Sequence, residues 1–210
     1  MKILLTDDHA MLRDGLAAVL AREPDLAVVG AAADGYEAIA KSRDLGPDVV
    51  IMDVSMPGLS GIDATRRILE ERPGIKVLAL SMHADRRYVH AMFKAGAAGY
   101  LVKDAAADEL VHALRAVAAG ETYVSPSIGG VTAEDFVRGD APLPSDLTTR
   151  EREVVQLLAE GKTSKEVAVR LGVAVATVVT HRRQVMSKLG VRSIAELTKY
   201  AVRHGLTSAE

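Results

Sequence analysis

Over the first 120 residues, short apolar runs alternate with amphipathic stretches. Val49-Val50-Ile51-Met52 is an unbroken apolar run, the pattern of a strand buried on both faces of a parallel sheet. Runs of this kind predict strands over 2–6, 26–31, 48–53, 75–80 and 98–102. Between them, apolar residues at helical spacing predict helices near 10–22, 35–45, 60–72, 85–95 and 106–119. Met11, Leu12, Leu16, Val19 and Leu20 trace the face of the first. Gly46-Pro47, Pro73-Gly74 and Gly96 punctuate helix ends. Five such βα units predict a three-layer α/β sandwich around a parallel sheet.

Residues 122–146 break the pattern. Ser125-Pro126-Ser127, Gly129-Gly130 and Ala141-Pro142-Leu143-Pro144-Ser145 read as a linker, with room for a short helix from Thr132 to Val137. From 147 the spacing is wholly helical. Thr148 or Thr149 is placed to cap a first helix, with Glu151 to Glu153 in its first turn; Val154, Val155, Leu157 and Leu158 form its apolar face, and Gly161 ends it. Further helices are expected over 164–171, 175–189 and 193–204, stopped by Gly172, Gly190 and Gly205. Four short helices with tight Gly turns fit a helix-turn-helix module.

Composition narrows the chemistry. The chain has 210 residues, 49% of them apolar, enough for one large domain or two small ones with real cores. It has no cysteine, which excludes disulfides, thiolate metal sites and thiol nucleophiles. The N-terminus turns acidic at Asp7-Asp8, too early for a signal peptide. No apolar stretch approaches the ~20 residues of a membrane span. A soluble cytoplasmic protein with no membrane partner is the expectation. The net charge of −2 hides an asymmetry. Residues 1–121 carry 14 Lys and Arg against 18 Asp and Glu, whereas residues 147–210 carry 11 against 6. An acidic first part and a basic last part suggest a sensor joined to a nucleic-acid-binding module.

The strand ends carry the candidate chemistry. Open α/β sheets hold ligands at the carboxyl ends of their strands. The first strand delivers Asp7 and Asp8 there, the third Asp53, the fourth Ser81 and the fifth Lys103. Two or three carboxylates with a backbone carbonyl suit Mg²⁺, a hard cation that keeps several waters. One carboxylate can then attack phosphorus and form an acyl phosphate, with Lys103 and Ser81 serving the new phosphoryl group. A single Asp at a strand end is usually a turn or cap residue. Five such residues at matching ends ask for a common role. His83 and His90 read as surface residues of the fourth βα unit.

This constellation resembles the receiver domain of two-component response regulators. The match is carried by Asp7-Asp8, by Asp53 within Val49-Val50-Ile51-Met52-Asp53-Val54-Ser55-Met56-Pro57, by Ser81, and by Lys103 within Gly99-Tyr100-Leu101-Val102-Lys103-Asp104. The resemblance implies a (βα)5 flavodoxin-like fold with strand order 2-1-3-4-5. It also implies Asp53 as phosphoacceptor. Mg²⁺ would be held by Asp8, Asp53 and the Ser55 carbonyl, with Asp7 acting mostly through water. Ser81 and Tyr100 occupy the family's two switch positions.

A second resemblance covers 147–207. Leu147-Thr148-Thr149-Arg150-Glu151-Arg152-Glu153-Val154, Leu157-Leu158-Ala159-Glu160-Gly161-Lys162-Thr163-Ser164-Lys165-Glu166-Val167-Ala168, Thr177-Val178, Thr180-His181-Arg182 and Met186-Ser187-Lys188-Leu189-Gly190-Val191 resemble the LuxR-type helix-turn-helix, a small all-α four-helix domain. A receiver at 1–121, a linker and this module at 147–210 resemble the NarL/FixJ family of response regulators. The expectation is double-stranded DNA binding through residues 175–189, with Thr177, Thr180, His181, Arg182, Arg183 and Lys188 facing the duplex. Lys162, Lys165 and Arg170 are candidate phosphate contacts. The segment's one aromatic, Tyr200, argues against single-strand binding by stacking.

The sequence departs from that family at three places. Ala174 stands where a Ser helix cap is common, Val179 where Lys or Glu is, and Ala176 where a polar residue is. Contact with thymine methyls, positions silent in base reading, and weakened binding are the three readings left open. The resemblance implies a histidine kinase as partner, Asp53 phosphorylation controlling DNA binding and transcription, and a homodimer when phosphorylated. An enzyme is not expected beyond self-phosphorylation and slow autodephosphorylation. The rivals are a phosphorylation-independent DNA-binding protein with a vestigial receiver and an aspartate-nucleophile phosphohydrolase. The latter usually shows Asp-x-Asp after the first strand, which Asp7-Asp8 is not.

Overall fold

The structure, a computed structural model, describes residues 1–82, 84–128, 147–204, 206 and 207. The expected helix at Thr132–Val137, the remainder of the linker from 129 to 146, His83 and the stop at Gly205 lie outside the described residues.

Five parallel strands form where apolar runs predict them: β1 (Lys2–Thr6), β2 (Ala27–Ala32), β3 (Val49–Asp53), β4 (Lys76–Ser81) and β5 (Gly99–Val102). Their order is the expected 2-1-3-4-5, extended by a sixth strand, β6 (Tyr123–Val124), beside β5. The expectation of five strands, with a linker from 122, therefore misses β6. Two residues are too few to show a period. They are held instead by backbone bonds from Tyr123 N–H to the Ala98 carbonyl (3.1 Å) and from Ser125 N–H to the Tyr100 carbonyl (2.9 Å).

The unbroken run of β3 is explained by layers on both faces of the sheet. Val50 and Met52 enter one core with residues of α2 (Gly35–Leu45), α3 (Gly61–Glu71) and α4 (Arg86–Lys94). Val49 and Ile51 enter another with α1 (Ala10–Leu20) and α5 (Ala107–Ala118). Successive side chains on a strand point to opposite faces, so burial on both demands apolar residues at every position. Each fully buried aliphatic side chain is worth about 1.5–3 kcal/mol. A carboxylate inside such a strand is excluded by its desolvation, and Asp53 sits at the last position.

His90 is a correction to the sequence reading: it is buried, along with the whole run Tyr88–Phe93. Spacing alone puts it outward. However, α4 packs on β5, on α3 and, through Tyr88, against the last helix of the chain, so little of its surface faces water.

The C-terminal part holds α6 (Thr149–Ala159), α7 (Ser164–Leu171), α8 (Val175–Leu189) and α9 (Ile194–Arg203). Thr148, not Thr149, caps α6; it forms a capping box with Glu151, as Thr163 does with Glu166 at α7. Ser193 caps α9. Ala174 precedes α8 with no side-chain cap, as its identity requires. Val154, Val155, Leu157, Val178, Val185 and Leu197 close a separate core.

Candidate functional site

β1, β3, β4 and β5 end on one edge of the sheet, and their terminal polar residues converge there. Asp7, Asp53 and Ser81 are almost fully buried. Lys103 Nζ donates to Asp53 Oδ2 at 2.8 Å and lies 2.7 Å from Asp7 Oδ2. One ammonium thus bridges both carboxylates. Asp53 Oδ1 accepts the Ser55 N–H at 3.1 Å. The Lys103 N–H donates to the Ser81 carbonyl at 2.7 Å, which ties β5 to β4 just where the pocket begins.

Burial pushes the Asp53 carboxyl up to about 6; Lys103 opposes that shift, and the charge of Asp7 adds to it. Burial pushes the Lys103 ammonium down, but the carboxylates of Asp53 and Asp7 outweigh it and the net shift is upward. Burial also raises the Tyr100 phenol, and a hydrogen bond with Ser81 offsets part of that rise. Tyr100 is fully buried, so the two expected switch positions touch inside the fold.

Two residues of this pocket escaped the sequence reading. His9 packs its Nδ1 2.9 Å from Asp8 Oδ1 and 3.1 Å from Asp7 Oδ1, and the Asp8 charge, then the bond to Asp7, raise its pKa. Its place beside Asp7-Asp8 was the available signal. Gly61 opens α3 directly against Asp53. A Cβ there would lie 1.9 Å from the Asp53 carbonyl oxygen. Only glycine lets the helix start so close to the phosphoacceptor candidate, while the Gly61 N–H donates to the Val54 carbonyl at 3.0 Å.

The residues present fit a hard divalent ion. One ligand atom each from Asp7, Asp8, His9 and Asp53 can be chosen so that all lie within 4.8 Å of one another. Three carboxylates in this space suit Mg²⁺. Ser55, whose carbonyl is the expected additional ligand, lines the same cavity.

That cavity, about 610 Å³, is walled by both parts of the chain. Asp8, Asp53, Ser55 and Lys103 lie on the receiver side; Ala159, Glu160, Val202 and Thr207 come from the C-terminal part. The loop after β3 is gripped by α6 and the residue that follows it. Gln156 accepts the Ser60 N–H at 2.9 Å and donates to the Met56 carbonyl at 2.7 Å. Glu160 accepts the Gly58 N–H at 2.9 Å. Gly58 has φ +82°, and a Cβ there would meet the Arg170 guanidinium at 2.7 Å. Arg170 itself bonds Asp34 at 3.1 Å and lies over the Tyr36 ring. On the other flank, Arg87 and Tyr88 of α4 donate to the carbonyls of Arg203 and Val202 on α9.

Two buried carboxylates sit in this junction, and each has an arginine on either side of it. Asp63 pairs with Arg66 of its own helix (2.5 Å) and with Arg152 of α6 (2.9 Å). Glu153 pairs with Arg150 of its own helix (2.8 Å) and with Arg67 of α3. Separation of the parts therefore strands neither charge, which removes the largest penalty for breaking a buried ion pair.

The expected DNA-facing residues lie as follows. Lys162, Lys165, Thr177 and Arg183 are exposed; His181 and Arg182 are half-buried. Thr180 is exposed, but its hydroxyl donates back to the Ala176 carbonyl at 3.0 Å. His181 Nδ1 is buried without a hydrogen-bond partner. Lys188 is bound to Glu151 at 2.7 Å, so a phosphate contact there must compete with an existing ion pair. The bonds described above between the two parts are made by the 147–171 segment and by α9.

Comparison with known proteins bears directly on both sites. Residues 3–115 match the response regulator receiver domain, and residues 145–201 match the luxR family of bacterial regulatory proteins. The chain is 41% identical to the oxygen regulatory protein NreC of Staphylococcus carnosus over 214 residues, covering 98% of this chain and 99% of that one. It is 40% identical to the transcriptional regulatory protein MctR of Rhizobium johnstonii over 209 residues, covering 99% and 96%. Among solved structures it resembles RcsB of Salmonella enterica serovar Typhimurium bound to promoter rprA with the phosphomimetic BeF3⁻. That match has TM-score 0.63 and 27% identity, covering 95% of this chain and 97% of that one. A LuxR-family response regulator from Aurantimonas sp. SI85-9A1 matches with TM-score 0.61 and 39% identity, over 65% of this chain and 98% of that one. With an acid pocket at the strand ends and a helix-turn-helix behind it, the chain belongs to the NarL/FixJ family of two-component response regulators, receivers joined to a LuxR-type DNA-binding domain.

Proposed function

We propose that Asp53 accepts a phosphoryl group from a histidine kinase and thereby controls sequence-specific binding of double-stranded DNA by α8. The observation that carries this reading is the Asp53–Lys103–Asp7 cluster, set in a cavity that the DNA-binding part helps to wall. The Asp53 carboxylate attacks phosphorus, an O–P bond forms, and the P–N bond to the kinase histidine breaks. Lys103 stays beside the modified side chain and balances its added charge. Mg²⁺, held by Asp7, Asp8, Asp53 and the Ser55 carbonyl, would neutralise charge on the phosphoryl oxygens. Ser81 offers its hydroxyl to the new group, and Tyr100, already bonded to Ser81, follows its movement. Turnover is limited to this self-modification from a phosphodonor and slow hydrolysis of the acyl phosphate.

The signal has a short path outward. Asp53 and the loop 54–60 move together, and that loop is bonded to Gln156 and Glu160. The acyl phosphate carries roughly one and a half to two negative charges where the carboxylate carried one, so on the order of one negative charge is added to a cavity that Glu160 also lines. Repulsion loosens the grip on Gly58, the arginine-buffered junction opens, and two freed chains dimerise on a two-half-site operator in the cytoplasm. Because the described junction is made by the 147–171 segment and α9, docking controls the position and pairing of the DNA-binding parts.

The test is incubation with acetyl phosphate and Mg²⁺, followed by mapping of acid-labile phosphate and DNA binding by anisotropy. Phosphate on Asp53 and tighter binding to selected duplexes are expected. Equal DNA affinity in treated, untreated and Asp53→Ala protein would leave a vestigial receiver as the better reading.

A further inference from the structure

α8 carries an exposed apolar stripe that its packing does not explain. Val178 and Val185 are fully buried and, with Leu189, fasten the helix to its core. Val175 and Val179 are each 42% exposed. Four residues apart, they stand on one face of the helix. Val179 also lines a shallow groove with Arg182, Arg183 and Met186. The stripe begins at the first residue of α8, and the N-terminal residues of a recognition helix are the ones that reach base edges.

Neither valine can donate or accept a hydrogen bond, and in a helix a valine is held in essentially one rotamer. In the major groove the apolar feature offered by a base pair is the thymine C5-methyl group. Arg182 and Arg183, beside Val179, supply positive charge for the backbone that flanks such a base. Residues 147–210 carry 11 Lys and Arg against 6 Asp and Glu, in keeping with a polyanionic occupant. A hydrophobic protein partner would leave those arginines unmatched at the rim.

We propose that Val175 and Val179 read thymine methyl groups in the major groove of double-stranded DNA, with Arg183 anchoring the adjacent backbone. The inference rests on the sequence-specific DNA binding proposed above and adds the base and the atom that are read. Operators of this protein then carry thymine opposite the first two turns of α8, where a lysine or glutamate at position 179 would select a different base.

The test uses duplexes selected from a random library by the phosphodonor-treated full chain. Each is resynthesised with deoxyuridine for thymine, which removes the methyl and keeps every base-pairing and groove hydrogen bond. Wild-type protein is expected to lose about fourfold in affinity per contacted thymine, the value of one buried methyl-sized group. Val175→Ala/Val179→Ala protein, shown folded by circular dichroism, is expected to bind thymine and deoxyuridine duplexes alike. Arg183→Ala should weaken both duplexes equally and keep the ratio between them. Selective binding with no difference between thymine and deoxyuridine in wild-type protein overturns the inference. So does an unchanged thymine preference in the double variant, or a double variant that alters self-association without DNA and leaves the ratio intact. Failure to select any sequence would instead remove the sequence-specific reading on which it rests.

Discussion

The acid pocket and the α8 surface are built in opposite ways. In the pocket, Asp7, Asp53 and Ser81 are withdrawn from water and fixed by the ends of a rigid sheet. Every polar group there is constrained by a neighbour, and Gly61 leaves no space for a methyl group. On α8, the proposed DNA-facing side chains project from a single helix, Val175 and Val179 are partly open to solvent, and the first turn lacks a side-chain cap. A preorganised pocket serves one small, invariant group. An exposed helix face can be rewritten residue by residue for a new operator without disturbing the core beneath it. The two parts of the chain are joined by hydrogen bonds, the Arg170–Asp34 pair and two doubly paired carboxylates, so opening the junction strands neither Asp63 nor Glu153.

The strongest way to break this contrast is Lys103→Ala. It leaves the buried Asp7 and Asp53 carboxylates facing each other without their shared cation. A drop of about 100-fold or more in phosphorylation rate from acetyl phosphate is expected, the scale set by removing one preorganised electrostatic partner. Gly61→Ala tests how little slack the pocket has: its Cβ must displace the Asp53 carbonyl. Urea unfolding should show a loss of roughly 3 kcal/mol or more in the receiver, at the severe end for a one-carbon change.

Gln156→Ala addresses the junction. Gln156 is buried and makes two bonds to the loop after β3. Its loss should favour the open form by about 1–3 kcal/mol, the cost of leaving buried partners unpaired. The check is a larger radius of gyration by small-angle scattering without any phosphodonor. An unchanged radius would assign docking to the ion pairs instead.

The raised Asp53 pKa gives a pH signature of the pocket alone. Only the carboxylate binds a cation, and burial pushes its pKa up to about 6. Mg²⁺ affinity by titration calorimetry should be full above that value and fall as pH drops through it, with proton release visible as a buffer-dependent heat. The sign follows from the upward shift: a carboxyl at its ordinary value of 3.8 would contribute no change between pH 7 and pH 5, and a His9→Ala protein separates this fall from protonation of the neighbouring imidazole. The smallest effect is a gain. Ala174→Ser should supply the missing cap of α8 and stabilise the DNA-binding part by about 1 kcal/mol, read from its thermal unfolding.

Asp7, Asp8, Asp53, Ser81 and Lys103 were legible because each ends or follows an apolar run, and a parallel sheet places such ends together. The C-terminal helices were legible from their spacing, from the stops at Gly161, Gly172 and Gly190 and from the cap offered by Thr148 or Thr149. Gly61 was not: its need appears only when α3 is seen against the Asp53 carbonyl. His90 was misread because helical spacing describes one packed face, and α4 has more than one. β6 was missed because two residues carry no period. Lys188 was legible as a cation, but its pairing with Glu151 is a matter of how α6 and α8 cross.

Local periodicity and punctuation thus determined the strands, the helices and the set of acids at one edge of the sheet. These depend on residues a few positions apart, where backbone geometry dictates which side chains share a face. Only the tertiary structure decided that Gln156 and Glu160 grip the loop after Asp53 and that Asp63 and Glu153 are each paired twice. It also decided that Val175 and Val179 of α8 are left partly exposed. Those contacts join residues about a hundred positions apart, as Ser60 and Gln156 show at a separation of 96. No repeating pattern along the chain encodes such pairs; they follow from how two finished surfaces fit, after each part has folded around its own core.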